Sequence, residues 1–539
     1  MCGGTSVYRH FIMQKWSGEM QAGRRIIWTD VLEITRVNII EVIRNAMADF
    51  TANASDCDKL LAIEAGIMPL RREKKTRTDI DVKTVDPIAH EITEFKEGFH
   101  WSNPINFVQR GIVDRGNSEE ETKAIALFNE CYAAENIGRK QKKVGHFVEI
   151  CGIGYTFVDI KQDWTDGDSY FQYEALDPRY AFVVKSSVYS DQRVMLGVTF
   201  RQDNNGNQYF TAFSKNRRYE ILAERVVNGT ELKTEWGSIY KDGIVNRLGM
   251  IPIIEWERAE DRMGVFEREI PEMERLNLML SDIGNDIDQE TQMIWHTNDV
   301  EFPTEIVRQE DGTEKEVVKK PVSNDWVSTF TSREGKTPFI KPLSTNYNYD
   351  GLLKNYTSAR SLILQRCYTP QRNDNSGGST GVAMADASGW SAAEQVAASQ
   401  ALLQSSAKIE ECKVALVAIK KNTNVPSDSP LLKLRYVDVK PNIKRTKSYE
   451  LNIKINAYAT GISHGIAPAH MIKAINLFED DEQVIIDSMP YIEKYLESAF
   501  ANRTTEEAPN ADRTMQDESD QVGNSPNIDG TSTDDRRTE

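Results

Sequence analysis

IPIIEWERAEDRMGVFEREIPEMERLNLMLSDIGNDID, Ile251 to Asp288, is the outbound arm of one long excursion that leaves the body of the chain near residue 251 and re-enters near 390. After Pro271 the apolar positions fall at Met273, Leu276, Leu280, Ile283, Ile287 and Ile294. That three-four spacing places one apolar stripe along a single long helix. The stretch Pro271–Asn298 would measure about 42 Å at 1.5 Å per residue. A β-rich segment follows, then a helical return near Asp350–Cys367, a loop NDNSGGSTGVAM (Asn373–Met384) and a second long helix. A helix pair so far from the body cannot bury its stripe alone, so it packs against copies of itself or other chains. The pattern belongs to an assembly part rather than to a compact enzyme.

The rest of the chain sets bounds on that reading. Its 539 residues suffice for two to four domains with real cores. Hydrophobic residues at 40% and charged ones at 27% read as soluble and globular. No apolar run approaches the roughly 18 residues of a membrane span, and Met1–Met20 mixes Trp, Arg, His and Lys where a signal peptide would be apolar. Cys2, Cys57, Cys131, Cys151, Cys367 and Cys412 show neither CxxC nor zinc spacing and read as reduced thiols of a cytoplasmic setting. The net charge of −17 disfavours tight phosphate gripping, which needs a basic stripe. It leaves room for passage of a polyanion that must not stick, or for solubility alone.

Along the chain, residues 1–25 have no period and read as a mobile arm. Trp28–Phe50 has helical spacing through Val31, Ile34, Val37 and Val42, and Thr122–Lys143 also reads as helix. RREKKTR (Arg71–Arg77) reads as a solvated turn. From Val144 to Leu222 the segments GHFVEICGIGYTFVDI, YAFVVKSSVYS, VMLGVTFRQ and QYFTAFS read as strands between turns. Within the excursion TEIVRQ and TEKEVVKK flank Glu310-Asp311-Gly312 as a hairpin, and WVSTF and PFIKPL add strands. Ser391–Lys421 is a helix through Ala398, Leu402, Ser405, Ile409, Cys412, Leu416 and Ile419, LKLRYVDV (Leu432–Val439) returns to strand, and Ile462–Phe500 is helical. The acidic, apolar-poor segment after Asn502 cannot offset its ordering entropy and reads as disordered.

Motifs for chemistry are scarce. There is no HExxH, nucleophile elbow or zinc set, so no catalytic residue, metal site or cofactor is expected. EGKTP (Glu334–Pro338) lacks the loop glycine of a phosphate-binding loop, where Phe330 stands, and leads into strand, so Lys336 has no phosphate to cradle. Gly152-Ile153-Gly154 lacks a third glycine and reads as a strand kink or close packing. The outbound helix is rich in acids (Glu272, Glu274, Asp282, Asp286, Asp288), whereas the return helix carries Lys354, Arg360 and Arg366. The two either pair, within or between subunits, or present ordinary solvated faces.

The order of these parts resembles the portal proteins of tailed bacteriophages, the siphophage-type head-to-tail connectors. EFKEGFHWSNPINF (Glu94–Phe107) is similar to that family's aromatic-Gly-aromatic and Asn-Pro signature. GMIPIIEWERAEDRMGVFE (Gly249–Glu267) resembles its entry to the stem, and LMLSDIGNDIDQ (Leu278–Gln289) the stem helix. GGSTGVAM (Gly377–Met384) resembles its tunnel loop, and GISHGIAPAHMIKAINLFEDDEQVI (Gly461–Ile485) its crown, although Ala467-Pro468-Ala469 departs from the usual polar helix opening.

The resemblance implies an α+β portal fold with a mixed α/β wing, a two-helix stem, a β-rich clip, a long kinked helix with a tunnel loop, and a helical crown. Mapped here, the parts are a wing over 26–264, stem helices over 265–298 and 349–368, and a clip over 299–348. A tunnel loop over 369–389, a long helix with returning wing strands over 390–457, a crown over 458–501 and an acidic tail over 502–539 complete them. It further implies a non-enzymatic ring, of twelve subunits, at one capsid vertex of a virion assembled in the host cytoplasm. The partners implied are the terminase large subunit, head-completion or adaptor proteins, major capsid and scaffolding proteins, and double-stranded DNA passing without sequence specificity; no membrane is involved.

Expected site residues follow from this mapping. The tunnel loop takes Arg372, Asn373, Asn375, Ser376, Gly377, Gly378, Ser379 and Thr380, and the channel wall Lys354, Arg360 and Arg366. Clip docking falls to Arg308, Asp311, Gly312, Lys315, Lys319, Lys320 and Lys336, and subunit contact to Met273, Leu276, Leu280, Ile283, Ile287 and Ile294. A DNA-processing enzyme (terminase subunit or nuclease) would need a phosphate loop or a carboxylate metal cluster. A cytoskeletal or capsid-shell protein fits the acidity but not the excursion.

Overall fold

The computed structural model describes residues 22–70, 72, 80–110, 119–228, 231–291, 295–298, 304–308, 314–318, 339–342, 349–371, 389–443, 445, 451–475 and the single residues 484, 488, 491 and 494. The chain is a mixed α+β protein. Its first layer is a seven-stranded sheet, β1 (Ile27–Thr29), β5 (Ala181–Ser186), β6 (Val194–Gln202), β7 (Gln208–Phe213), β8 (Arg217–Asn228) and β10 (Ile244–Val245) in that order, with β9 (Glu231–Ser238) also on β8. The β1–β5 pair is parallel and the others are antiparallel. Helix α1 (Ile39–Glu64) lays Ile39, Val42, Ile43, Ala46 and Phe50 on this sheet against Phe182, Val184, Leu196 and Phe210.

A second sheet, β11 (Ile253–Glu257), β3 (Ile153–Ile160) and β4 (Phe171–Leu176), carries helices α3 (Glu119–Ala134) and α4 (Ile137–Cys151). The long helix α7 (Trp390–Lys421) also packs on it and shares its core through Cys412, Leu416 and Ile419. The returning strand β16 (Val439–Asn442) pairs with β2 (Asn106–Gln109). From this body the chain leaves as α5 (Ile270–Thr291) and returns as α6 (Tyr349–Arg366), and α2 (Ile88–His100) lies at their root. Between them β12 (Trp295–Asn298) pairs with β15 (Phe339–Pro342), and β13 (Thr304–Arg308) with β14 (Glu314–Val318). Helices α8 (Leu451–Ser463) and α9 (Pro468–Ile475) follow β16.

Several boundaries differ from the sequence reading, each for a physical reason. The helix expected over Trp28–Phe50 starts only at Ile39, because residues 27–29 pair with β5 and Asn38 Oδ1 accepts the Thr35 N–H at 2.8 Å. Val31 and Ile34 reach the same core without being helical. The helix over Thr122–Lys143 is two helices, broken at Asn136, which takes φ 55°. The second runs on through GHFVEIC to Cys151, where strand was expected. Nearly every residue there is buried, and a continuous apolar run does not separate strand from buried helix. LKLRYVDV is strand only at Val439, the first residue of β16; before it stand two 3-10 turns, Pro430–Leu432 and Tyr436–Asp438. The outbound helix stops at Thr291 rather than Asn298, and Trp295–Asn298 is strand. Residues 22–25 are not a loose arm, since Arg24 is buried against Glu267 at 2.6 Å. The acidic tail, residues 1–21 and the Asp-Gly turn lie outside the described residues.

Gly152 ends α4 with φ 78°, and a Cβ there would lie 2.3 Å from the Arg262 carbonyl oxygen. It is a helix stop pressed against the start of the excursion, not a strand kink. Gly154 packs closely on Val144 and Val148.

Candidate functional site at the root of the excursion

Two networks fix the point where the chain leaves its body. Glu267 is buried and accepts the N–H groups of Gly23 at 3.0 Å and Gly264 at 2.8 Å beside the Arg24 guanidinium. Next to it Arg262, in a left-handed conformation at φ 55°, bridges Glu255 and Glu257 at 2.6 Å each, and Lys185 reaches Glu255 at 2.8 Å. Burial alone would raise the Glu255 carboxyl, but the charges of Arg262 and Lys185 outweigh it and hold it at about 2.

The sign follows from that depression. The group contributes stability above its unfolded value near 4.5, and the contribution fades as pH falls toward about 2. Unfolding free energy should therefore fall through this group as pH drops across that window. Acid titrations of urea unfolding should show a shallower slope for Glu255→Gln than for the wild type.

Segment 80–87 is an extended strap laid along α5. Asn277, Ser281 and Asn285, spaced by four, accept the backbone N–H groups of Asp86 (2.8 Å), Thr84 (3.0 Å) and Val82 (2.8 Å). Four helical residues rise about 6.0 Å and two extended residues about 6.6 Å, so the two periods stay in step over three bonds. Met273 and Leu276 fill the gap between this helix and α1, α2, α4 and α6, with Ile63, Ile92, Ile363 and Leu364. Helix α6 is held by the same region. Asp86 accepts from Tyr356 Oη at 2.5 Å and from Arg360 Nε at 3.0 Å, and Glu91 also pairs with Arg360. Arg366 pairs with Glu269 at 3.3 Å.

Beyond α6 the chain is anchored on α2. The helix stops in a left-handed turn at Tyr368 (φ 53°), with the Thr369 N–H donating to Leu364 O at 2.9 Å. The buried Lys96 ammonium donates to the Tyr368 carbonyl at 3.0 Å, and burial lowers its pKa to about 8. One turn along α2, Phe99 packs edge-on to Trp390 at 5.9 Å between centroids, as does Phe95 at 5.6 Å.

The expected site residues divide accordingly. Met273 and Leu276 are buried within the chain's own core, so they are not subunit contacts. Leu280 and Ile283 are half-buried and Ile287 is 49% exposed, so the stripe is uncovered only away from the root. The expected stripe of α7 also divides. Cys412, Leu416 and Ile419 are core, while Leu402 is 74% exposed and Gln400, Gln404, Lys408 and Glu411 take the buried face instead. Of the channel-wall residues, Arg360 and Arg366 are engaged by acids of the same chain and only Lys354 is exposed without an ion pair. Arg308 and Lys315 sit on the β13–β14 hairpin, Arg308 within 3.6 Å of Glu314. Residues 372–380, Asp311, Gly312, Lys319, Lys320, Lys336 and Ile294 lie outside the described residues.

Sequence reasoning missed the strap, the Lys96 anchor and the Arg360 clasp. The spacing of Asn277, Ser281 and Asn285 was the one signal available for the strap.

On the β13–β14 hairpin Ile306, Val307 and Val317 are all exposed, although Ile306 and Val307 point to opposite faces. A two-stranded ribbon bare on both sides is marginal by itself. Among the described residues no group of His, Cys, Asp and Glu is placed to hold a metal ion, and no helix is long and apolar enough to cross a membrane.

A family model described as "Phage portal protein, SPP1 Gp6-like" matches residues 57–498. No curated protein matches the sequence. Among solved structures, a chain from the neck of an empty GTA particle, computed with C6 symmetry, has 9% identity and a TM-score of 0.38. The match covers 73% of this chain and 91% of that one. A chain from the virion of a native gene transfer agent particle has the same identity and TM-score, over 88% of this chain and 99% of that one.

Proposed function

The chain belongs to the SPP1 Gp6-like family of phage portal proteins, and on that premise we propose that it forms a closed ring, of twelve subunits, at one vertex of a phage-like capsid. The family match supports a portal role over the terminase-or-nuclease reading. The ring is the channel through which DNA enters and leaves. Its stem is α5 with α6, and the β13–β14 hairpin belongs to the clip on which the packaging motor and head-completion proteins dock.

The observation that carries this reading is the uncovered apolar surface along the excursion. Ile287, Leu353 and Leu362 on the two helices and Ile306 on the hairpin are exposed, as is Leu402 on α7. Head-to-tail contacts closing into a ring would cover such surface on every subunit. The channel surface belongs to the segment 372–381, whose small, nearly neutral residues suit sliding along DNA, since each neutralised phosphate adds grip and salt dependence. Arg360 and Arg366, committed to Asp86, Glu91 and Glu269, add little to that grip.

Negative-stain imaging of the purified chain, with light scattering for mass, tests the proposal. Rings with a central hole are the expected result, and a compact monomer across the concentration range would overturn it.

A further inference from the structure

Both ends of the connection 372–388 are held on one short stretch of α2. At its start, the Lys96 ammonium takes the Tyr368 carbonyl at 3.0 Å, four residues before the connection begins. At its end, Trp390 is clasped edge-on by Phe95 and Phe99, whose rings stack on each other at 5.7 Å. Lys96 also lies over the Phe95 ring at 5.4 Å, so the two anchors touch. Residues 96 and 99 are separated by only about 5 Å of helix rise. The described residues that flank the connection, Tyr368 and Trp390, are thus both held within one turn of α2.

The second turn of α7 is tied to the same clasp. Arg445 donates to the Ala397 carbonyl and lies 6.0 Å from the Phe99 ring. A lysine that is 1% exposed loses its hydration, and a backbone carbonyl as its partner fixes a main-chain position rather than a charge. This is the burial of a positioning residue.

We propose that Lys96, Phe95 and Phe99 are positioning residues that set the take-off and landing points of the 372–388 connection, with Trp390 as the landing residue. The proposal gives a role to the FKEGF run of Phe95–Phe99, which the resemblance singled out and the fold alone leaves unused. Its functional half rests on the reading of that connection as the channel loop; its structural half does not.

Hydrogen exchange on assembled rings separates the two halves. Lys96→Met should speed exchange at residues 366–371 about tenfold or more, with little change at 390–396. Trp390→Ala should do the reverse, and Trp390→Phe should restore protection because a ring still fills the clasp. Light scattering should give the wild-type mass for all three, and DNA packaging should slow for Lys96→Met and Trp390→Ala but recover in Trp390→Phe. Trp390 is only partly buried, so its variants fold even if Lys96→Met does not. Unchanged exchange at both ends in folded rings overturns the proposal. Faster exchange with normal packaging upholds the anchors and refutes the channel reading instead.

Discussion

Replacing Lys408 by Met should lower the unfolding free energy by about 3–5 kcal/mol, although the site looks in sequence like an ordinary solvated helix pair. Lys408 and Glu411 are both 0% exposed and bonded to each other in the middle of α7. The ammonium lies 4.2 Å from the Tyr132 ring centre, 5.3 Å from Phe107 and 5.8 Å from Tyr173, an aromatic cage that replaces part of its lost hydration. Burial nonetheless lowers its pKa, and pushes those of the Tyr132 and Tyr173 hydroxyls well up. Removing the lysine leaves a buried carboxylate with no countercharge, and that is what costs. The double variant Lys408→Met/Glu411→Leu removes both charges and should recover most of the loss, because well-packed apolar residues commonly equal a buried pair. Urea unfolding of the four proteins in the cycle measures the coupling. Additive single losses would mean that the two groups do not act as a pair.

The second large effect falls on assembly. Leu280→Asp with Ile287→Asp should reduce the ring to monomers or small fragments while leaving the folded subunit intact. Ile287 is 49% exposed in the single chain and Leu280 half-buried, so a carboxylate at either position stays near water in the monomer. Covered by a neighbour, each would be a desolvated, unpaired charge worth several kcal/mol. A ring repeats that penalty at every interface. Met273→Asp is the contrasting variant. Its side chain is 1% exposed in the subunit's own core, so folding rather than assembly should fail. Light scattering and far-ultraviolet circular dichroism distinguish the outcomes. A full-size ring from the double variant would move the interface off the outer part of α5.

Much of the architecture was legible from period and turn chemistry. The strands at 181–186, 194–202 and 208–213, the return helix and α7 stand where alternation or three-four spacing put them. What escaped was of two kinds. Some elements carry no local pattern because their partners are distant in sequence. The strap binds α5 through its own backbone, so nothing in residues 80–87 announces the contact, and Arg360 finds Asp86 and Glu91 more than 260 residues away. Others carry a misleading pattern. Polar Gln400, Gln404, Lys408 and Glu411 share the buried face of α7 with its alanines while Leu402 points outward, and of these four the aromatic cage accounts for Lys408. The expected subunit stripe on α5 failed at Met273 and Leu276 because the first turns of the helix are spent on the chain's own core.

The strap also implies an asymmetry in how this region can drift over generations. On the helix side the contact depends on three side chains, Asn277, Ser281 and Asn285, whose oxygens must accept at fixed heights. On the strap side the hydrogen bonds use main-chain groups, the N–H of residues 82, 84 and 86 and the carbonyls of 82 and 84, and every residue but proline supplies both. Lineages should therefore keep small polar residues at those three helical positions while residue 84 varies widely, barred from proline, and residue 82, whose side chain packs on Gly284, varies less. Asp86 is the exception within the strap, held by its second duty to Tyr356 and Arg360.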